Sequence, residues 1–445
     1  MAKVIEAEAS PEKRLFISLL TRDIPLLAAF LDLIDNSINA AVEPYADRLK
    51  TAEDYERFLL DETIEPGVSI DLTIGPDKVE IRDTAGGISA DTAAKGVFKF
   101  GRSLNDGESS DRLSVYGIGL KRAIFKLGNK IAMRSDHKDG GFDMKLDVEE
   151  WARSSELPWT FKLIPRAPEV DEAKTGTLIR VGELHQDALR RMTDGVFEGQ
   201  LRDAIARTYA FYLAKLVRIS VNGVDVEGLN IELGSNRESK TENFGKVTCA
   251  ISAGLGLPQA GSFRASVAGW YVFCNGRGVI TADKTPLTGW GSGLPTFQPK
   301  HRPFLGIVFF VSENPEALPW TTTKAAIDED SLLWQQAKRH MASIGRVVIT
   351  FLDSRYSDEG TEIAPKELEE ATGPERLGVV AAAVSQARAF TPPKAKVSDT
   401  VKIQFDAQVT DVKRIAKYLK RPGMSASDAG RHTFSYFLRN EVGES

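Results

Sequence analysis

FLDLIDNSINA, which runs from Phe30 to Ala40, lies in a stretch whose apolar residues recur with the period of an α-helix. The pattern predicts a helix from Pro25 to Ala41 and places Asp32 and Asn36 one turn apart on its polar side. A carboxamide oxygen can bind Mg²⁺, and a carboxylate beside it can position and deprotonate water, so the pair suits metal-dependent phosphoryl hydrolysis. Taken alone, the pattern is more typical of a helix with a solvated polar face.

A second segment combines the end of a predicted buried strand with a glycine turn. Val79 to Arg82 runs into Asp83-Thr84-Ala85-Gly86-Gly87-Ile88. Two consecutive glycines, of which Gly87 is the second, allow the backbone to approach a flat ligand, and Asp83 at the strand end can accept a hydrogen bond. By itself the segment is a plain turn after a strand.

A third segment, SVYGIGLK, is a glycine-containing loop that leads into a predicted helix. Free backbone N–H groups at a helix start, together with the helix dipole, form a site for a triphosphate. The residues expected to bind phosphate are Ser114, Val115, Tyr116, Gly117, Gly119 and Lys121. The preceding stretch from Phe100 to Arg112 is polar and rich in Gly and Ser, which favours a mobile lid.

A fourth segment, Gly176 to Val181, is a strand-like run that contains Thr177. With these four segments in this order, the chain resembles the GHKL family, named for gyrase, heat-shock chaperones, histidine kinases and the mismatch-repair protein MutL. The resemblance implies an ATPase with Mg²⁺ and ATP as its cofactors.

The resemblance also implies roles for single residues. Asp83 would accept the exocyclic amine of adenine with support from Thr177, Asn36 would bind Mg²⁺, and Asp32 would act as the base. Three positions depart from the family pattern: Asp32 replaces the usual Glu, Ala85 replaces a glycine of Asp-x-Gly-x-Gly, and Ser114 replaces another glycine. Because Asp is one methylene shorter than Glu, the resemblance supports ATP binding better than rapid turnover.

A second α/β region is predicted after residue 187, where strand-like runs alternate with helical patterns. The predicted elements are a long helical stretch from Asp187 to Lys215, a hairpin from Val217 to Val226 around Asn222-Gly223, strands at Gly269 to Ile280 and Leu305 to Val311, and a helix near Asp330 to Asp353. This region resembles the transducer domain of the GHKL family, and the helix followed by Val-Asn-Gly is most similar to MORC-type members.

Lys324 lies in the threonine-rich loop LPWTTTK, which has no core periodicity. Members of the family send a lysine from the equivalent loop to the γ-phosphate, so the resemblance implies a catalytic role for Lys324. A solvated loop lysine is the alternative.

Composition indicates an ordinary globular protein of two or three domains, with 445 residues, 42% hydrophobic residues and a net charge of −5. Cys249 and Cys274 are the only cysteines, so neither a disulfide framework nor a zinc site is expected, and both are predicted to be buried. The apolar runs are shorter than a membrane span, which favours a cytoplasmic protein.

The predicted fold class is α+β. Its parts are a Bergerat-type α/β sandwich in residues 1–187, an α/β transducer-like domain in residues 188–357, a linker region in residues 358–397 and a small C-terminal module in residues 398–445. The basic helix predicted from Thr410 to Leu419 suits nucleic acid or an acidic partner, although a solvated charged face is the more common cause of such a pattern.

Two functions follow from the resemblance. In the first, the protein is a slow ATPase whose two copies close on ATP as a homodimer, and it acts on DNA or a protein client in DNA maintenance or in defence against foreign DNA. In the second, it is a nucleotide-gated scaffold subunit with little or no hydrolysis.

Overall fold

The computed structural model describes residues 12–101, 113, 117–154, 159–259, 262–356, 371–373, 375–385, 389–391, 403 and 405–443. The chain divides into two compact units, Met1–Pro393 and Lys394–Ser445.

The first unit contains helices of very different length, from three to 25 residues. They are α1 (Lys13–Arg22), α2 (Leu26–Val42), α3 (Ala52–Leu60), α4 (Ala90–Thr92), α5 (Gly119–Leu127), α6 (Val148–Arg153), α7 (Gln186–Met192), α8 (Phe197–Thr208), α9 (Ala210–Lys215), α10 (Leu332–Tyr356) and α11 (Val379–Val384). None of the described helices of either unit is long and apolar enough to cross a membrane.

The described strands of this unit form two sheets, in agreement with the predicted α+β class. The strands are β1 (Val68–Ile74), β2 (Lys78–Asp83), β3 (Gly128–Asp136), β4 (Phe142–Asp147), β5 (Leu163–Pro165), β6 (Gly176–Leu184), β7 (Val217–Val221), β8 (Val224–Asp225), β9 (Glu232–Phe244), β10 (Val247–Gly256), β11 (Gly269–Cys274), β12 (Arg277–Asp283), β13 (Phe304–Val311) and β14 (Arg376–Gly378).

Sheet A has the strand order β5-β4-β3-β6-β2-β1-β7-β8. Neighbouring strands are antiparallel except for β1 and β7, which are parallel. Helix α2 contacts β1 and α5, and its apolar residues Phe30, Ile34 and Ile38 have no exposed surface. The helical period of the sequence therefore identifies the core face of α2 correctly.

Sheet B has the order β12-β11-β13-β10-β9-β14, with β11 and β13 parallel. Every residue of β13, FLGIVFFV, is buried, as expected for a strand that is covered on both faces. Helix α10 packs on β9, β10 and β13, and helices α3 and α11 also contact β10 and β13. Tyr55 of α3 lies against Phe211 and Phe309, so the N-terminal region contributes to the packing of sheet B.

Two domain boundaries differ from those that the sequence suggests. The first sheet continues beyond residue 187, because β7 pairs with β1 from Val68↔Val217 to Leu72↔Val221 and β8 then pairs with β7. Part of the predicted linker is folded, since β14 pairs with β9 and α11 packs on β13. In both cases a segment distant in sequence supplies hydrogen bonds and apolar contacts that a local pattern does not reveal.

The hairpin predicted at Asn222-Gly223 has the expected geometry. Asn222 has φ 51° and Gly223 has φ 77°, and positive φ at both central residues is what a type I′ turn requires. The long helical stretch predicted before it is divided into α7, α8 and α9.

The second unit contains α12 (Val409–Tyr418) and α13 (Ala426–Phe437). Ala416 and Ala429 are its buried apolar residues among those described, and Tyr418 and Phe437 are exposed. A unit of this size with so few buried side chains has a small core.

Candidate functional site

The polar side of α2 is buried rather than solvated. Asp32 is 2% exposed and forms a two-point salt bridge with Arg122 of α5, in which the guanidinium Nη2 lies 2.7 Å from the carboxylate Oδ1. Burial raises the pKa of Asp32, and the hydrogen bond from Arg122 opposes that rise. Arg122 was not anticipated from the sequence, because 90 positions separate it from its partner.

Gly119, in the described part of the predicted phosphate loop, packs directly on Asp32. A Cβ atom added at Gly119 would lie 3.7 Å from the Asp32 side chain, and Gly117 has φ 63°. Because α5 begins at Gly119, the N-terminal end of this helix, where the helix dipole favours negative charge, lies beside Asp32. Gly119 of the predicted phosphate loop and the predicted base Asp32 are thus neighbours.

Lys121 has a buried side chain, 2% exposed, whose ammonium donates to the backbone carbonyls of Val97 and Gly117. This arrangement holds Gly117 of the loop against the turn that follows α4. Contact of Lys121 with phosphate stays a prediction. The predicted phosphate residues Ser114, Val115 and Tyr116, like most of the predicted lid, lie outside the described residues.

Asn36 is half-buried, and its side-chain nitrogen donates to the backbone carbonyl of Asp32 at 2.8 Å. This bond fixes the orientation of the carboxamide. Within the part of the chain that the structure describes, no group donates a hydrogen bond to its oxygen, which is the atom that the sequence assigned to Mg²⁺.

Asp83 lies at the end of β2 and is held by three donors. Its Oδ1 accepts hydrogen bonds from the backbone N–H groups of Ala85 and Thr177, both at 3.1 Å, and its Oδ2 accepts one from the Ser37 hydroxyl at 2.8 Å. Burial raises the pKa of Asp83, and these hydrogen bonds oppose the rise. The structure therefore brings Asp83 and Thr177 together, with contact through the backbone of Thr177.

The second glycine of the turn after Asp83 lies too close to neighbouring backbone for a side chain to fit without displacement. Gly87 has φ 72°, and a Cβ atom there would lie 2.1 Å from the carbonyl oxygen of Asp136. Gly87 therefore packs against the adjacent ends of β3 and β6, where Asp136 pairs with Gly176.

A second charged cluster, centred on Asp35, joins α2 to the region that carries sheet B. Arg277 of β12 approaches Asp35 Oδ1 with its Nε at 3.0 Å, the Tyr209 hydroxyl donates to the same oxygen at 2.7 Å, and the Lys324 ammonium donates to Oδ2. Lys324 is 7% exposed, so it is not a solvated loop lysine.

The charges in this cluster set the protonation of Asp35 and Tyr209. Burial alone would raise the pKa of Asp35, but the nearby Arg277 and Lys324 outweigh it and lower the pKa to about 2. Burial, and then the charge of Asp35, raise the pKa of Tyr209. Asp35 is therefore a carboxylate and Tyr209 a neutral hydrogen-bond donor at neutral pH.

Sequence reasoning missed this cluster. Asp35 follows Asp32 by three positions and lies on the polar side of α2, so the sequence could have identified it as a candidate site residue. No local pattern links Asp35 to Tyr209 or Arg277. Among the residues described, no group of three His, Cys, Asp or Glu side chains could hold a metal ion by itself. Cys249 and Cys274 are free and buried, as predicted.

Comparison with known families gives one match within the chain. Residues 25–177 match the family described as histidine kinase-, DNA gyrase B- and HSP90-like ATPase. The match extends from the residue before α2 to Thr177, so it includes Asp32, Asn36 and Asp83 but not Lys324. No curated protein matches the chain. The N-terminal part of this protein, residues 25–177, therefore belongs to the GHKL superfamily of ATPases.

Proposed function

We propose that this protein binds ATP with Mg²⁺ and hydrolyses it slowly, and that the nucleotide controls domain closure or dimerisation. The observation that supports this proposal most is the set of hydrogen bonds that Asp83 accepts. A carboxylate offers about four acceptor sites, and donors among the described residues occupy three of them. One site on Oδ2 remains, which suits the exocyclic amine of adenine beside the glycine turn.

The residues around α2 also fit Mg²⁺ and a triphosphate. The Asn36 carboxamide is oriented with its oxygen free of described donors, and amide oxygens are suitable ligands for this hard cation. When bound, the cation would supply charge neutralisation to the phosphates. The N-terminal end of α5, beside Gly119, would hold the phosphates through backbone N–H groups.

Asp32 is the proposed base for the attacking water. Burial raises the pKa of Asp32, which suits a group that takes up a proton, and the Arg122 guanidinium orients its carboxylate. The same salt bridge makes Asp32 less free to move, and its side chain is shorter than the Glu of the family pattern. Both properties support slow turnover.

Lys324 is the proposed contact to the terminal phosphate, because its loop already lies against α2 through Asp35. A contact between the Lys324 ammonium and ATP would couple the nucleotide to the region that carries sheet B. By analogy with gyrase, MutL and MORC proteins, the unit that closes would be a homodimer acting on DNA or on a protein client. Two free cysteines fit a reducing, cytoplasmic location.

A nucleotide-gated scaffold without appreciable hydrolysis is the second candidate. The observation that favours it is the salt bridge to Arg122, which occupies both oxygens of the Asp32 carboxylate. In that case the site would bind Mg-ATP and change conformation, and turnover would not depend on Asp32.

The first experiment compares Mg-dependent ATP hydrolysis by the wild type and by Asp32→Asn. The oligomeric state of the same samples is recorded with and without a non-hydrolysable ATP analogue. Loss of a general base should lower turnover by about 100-fold or more. Asp91→Asn, an exposed carboxylate on α4, is the matched control and should retain full activity.

The outcomes separate the two candidates. Turnover that is lost in Asp32→Asn, with dimers that form on the analogue, supports the ATP-driven switch. Binding of the analogue with equal turnover in both proteins supports the scaffold, and absence of ATP binding contradicts both.

Two further variants test the metal and the lysine. Asn36→Ala should abolish Mg-dependent ATP binding, and unchanged affinity would contradict the metal assignment. Lys324→Ala should slow turnover by about 100-fold while it changes affinity much less, and normal turnover would exclude the lysine from the site.

A further inference from the structure

The Lys324 ammonium is buried and already bound to an anionic side chain. In the structure its ammonium donates to Asp35 Oδ2, and both side chains are more than nine-tenths buried. A contact between this ammonium and the terminal phosphate therefore requires that Lys324 exchange one anion for another.

The backbone around Lys324 is held separately from its ammonium. Arg277 Nη1 donates to the carbonyl oxygen of Lys324 at 2.6 Å, and the N–H of Lys324 donates to the carbonyl of Thr321 at 2.8 Å. Arg122 Nη1 lies 3.5 Å from the carbonyl oxygen of Thr322. Because the loop is fixed by these contacts, only the flexible four-carbon side chain has to move.

Asp35 remains well paired after the lysine leaves. Its Oδ1 keeps Arg277 at 3.0 Å and the Tyr209 hydroxyl at 2.7 Å. A buried carboxylate without a partner is strongly unfavourable, and these two donors avoid much of that cost. Asp35 therefore keeps two of its three described donors when the lysine moves to the phosphate.

The buried charges around α2 are also unequal. Two carboxylates, Asp32 and Asp35, face three cations, Arg122, Arg277 and Lys324. Within these two salt-bridged clusters one positive charge is in excess, although Asp83, which accepts a hydrogen bond from Ser37 of α2, is a third carboxylate beside the helix.

We infer that Asp35 is the resting partner of Lys324 and competes with the terminal phosphate of ATP for its ammonium group. This inference rests on the proposed function, in which Lys324 reaches that phosphate. Asp35 is then a positioning residue that makes ATP binding weaker than the site alone would allow. This competition also explains why Lys324→Ala should change the affinity for ATP little, because in the wild type the lysine loses its contact with Asp35 when it gains one with the phosphate.

The test uses the direction of a change in affinity. The dissociation constant of a non-hydrolysable ATP analogue is measured for the full-length wild type, Asp35→Asn, Lys324→Ala and the double variant. If about a tenth of the resting molecules have a free ammonium, Asp35→Asn should bind the analogue about tenfold more tightly. Asp35→Asn should have no effect in the Lys324→Ala background.

A second measurement needs no nucleotide. Acetylation of Lys324 by an amine-reactive reagent, followed by mass spectrometry, should be several-fold faster in Asp35→Asn than in the wild type. Lys95, an exposed lysine paired with Asp91, should be acetylated equally in both proteins. A purely structural role for Asp35 would instead lower analogue affinity and would change many lysines together.

Tyr209→Phe keeps the test decisive if Asp35→Asn does not fold. Removal of the hydroxyl leaves Asp35 more dependent on Lys324, so the analogue should bind several-fold more weakly, and this loss should vanish in the Lys324→Ala background. If the wild type binds no ATP, the proposed function and this inference both fail. If the wild type binds ATP but Asp35→Asn binds it equally or more weakly, only this inference fails.

Discussion

Gly87→Ala is expected to destabilise the protein far more than the same change at the neighbouring Gly86. Both glycines have positive φ, 72° at Gly87 and 81° at Gly86, so alanine at either position carries the cost of a left-handed conformation, about 1 kcal/mol. The two positions differ in their surroundings. A Cβ atom at Gly86 would meet no heavy atom within 4 Å, and Gly86→Ala is therefore the matched control.

The additional cost at Gly87 comes from backbone that cannot move aside. Its Cβ atom would lie 2.1 Å from the carbonyl oxygen and 2.8 Å from the carbonyl carbon of Asp136, and 3.1 Å from the oxygen of Gly176. Both neighbours are at the ends of paired strands in sheet A, so relief of the overlap has to displace the sheet or the turn. Overpacking of this kind costs about 1–3 kcal/mol beyond the left-handed term.

The assay is urea denaturation of both variants and the wild type, followed by far-ultraviolet circular dichroism. Gly86→Ala should lose about 1 kcal/mol of unfolding free energy, and Gly87→Ala about 2–4 kcal/mol. Gly87→Ala should also bind ATP more weakly, because a displaced turn moves Asp83. Equal midpoints for the two variants would refute the close approach of Gly87 to Asp136.

Three other outcomes are expected. Because the pKa of Asp35 is lowered to about 2, the stability that its ionised form contributes is present above about pH 4 and is lost as the pH falls towards 2. The difference in urea midpoint between the wild type and Asp35→Asn should therefore narrow over that range, and a constant difference would contradict the lowered pKa. Ser37→Ala removes a donor to Asp83 and should weaken ATP binding about fivefold by calorimetry, whereas unchanged affinity would separate Ser37 from the site. Burial raises the pKa of the Cys249 and Cys274 thiols, so iodoacetamide at pH 8 should label neither until denaturant is added, and labelling of the native protein would show that they are accessible.

Local patterns in the sequence predicted some elements closely. The helix expected from Pro25 to Ala41 spans Leu26–Val42, because its apolar period and the preceding proline are both local signals. Strand β9, Glu232–Phe244, was missed because its sequence ELGSNRESKTENF is polar along its length. Such a strand forms through pairing with β10 and β14, and tertiary pairing is not visible in a propensity pattern.

The same distinction applies to the site. Asp32 and Asn36 could be predicted together because they are one helical turn apart. The contact between Asp35 and Lys324 spans 289 positions, and that between Asp32 and Arg122 spans 90. Only the fold brings these charges together, and a family pattern confined to residues 25–177 does not contain the lysine.

The parallel pairing of β1 with β7 determines where this chain can be cut. A fragment that ends at Thr177, where the family match ends, would leave the hydrogen-bonding edge of β1 exposed. An open edge of this kind recruits other strands and promotes aggregation. Any isolated ATPase fragment should therefore extend at least to Asp225, so that β7 and β8 can complete sheet A.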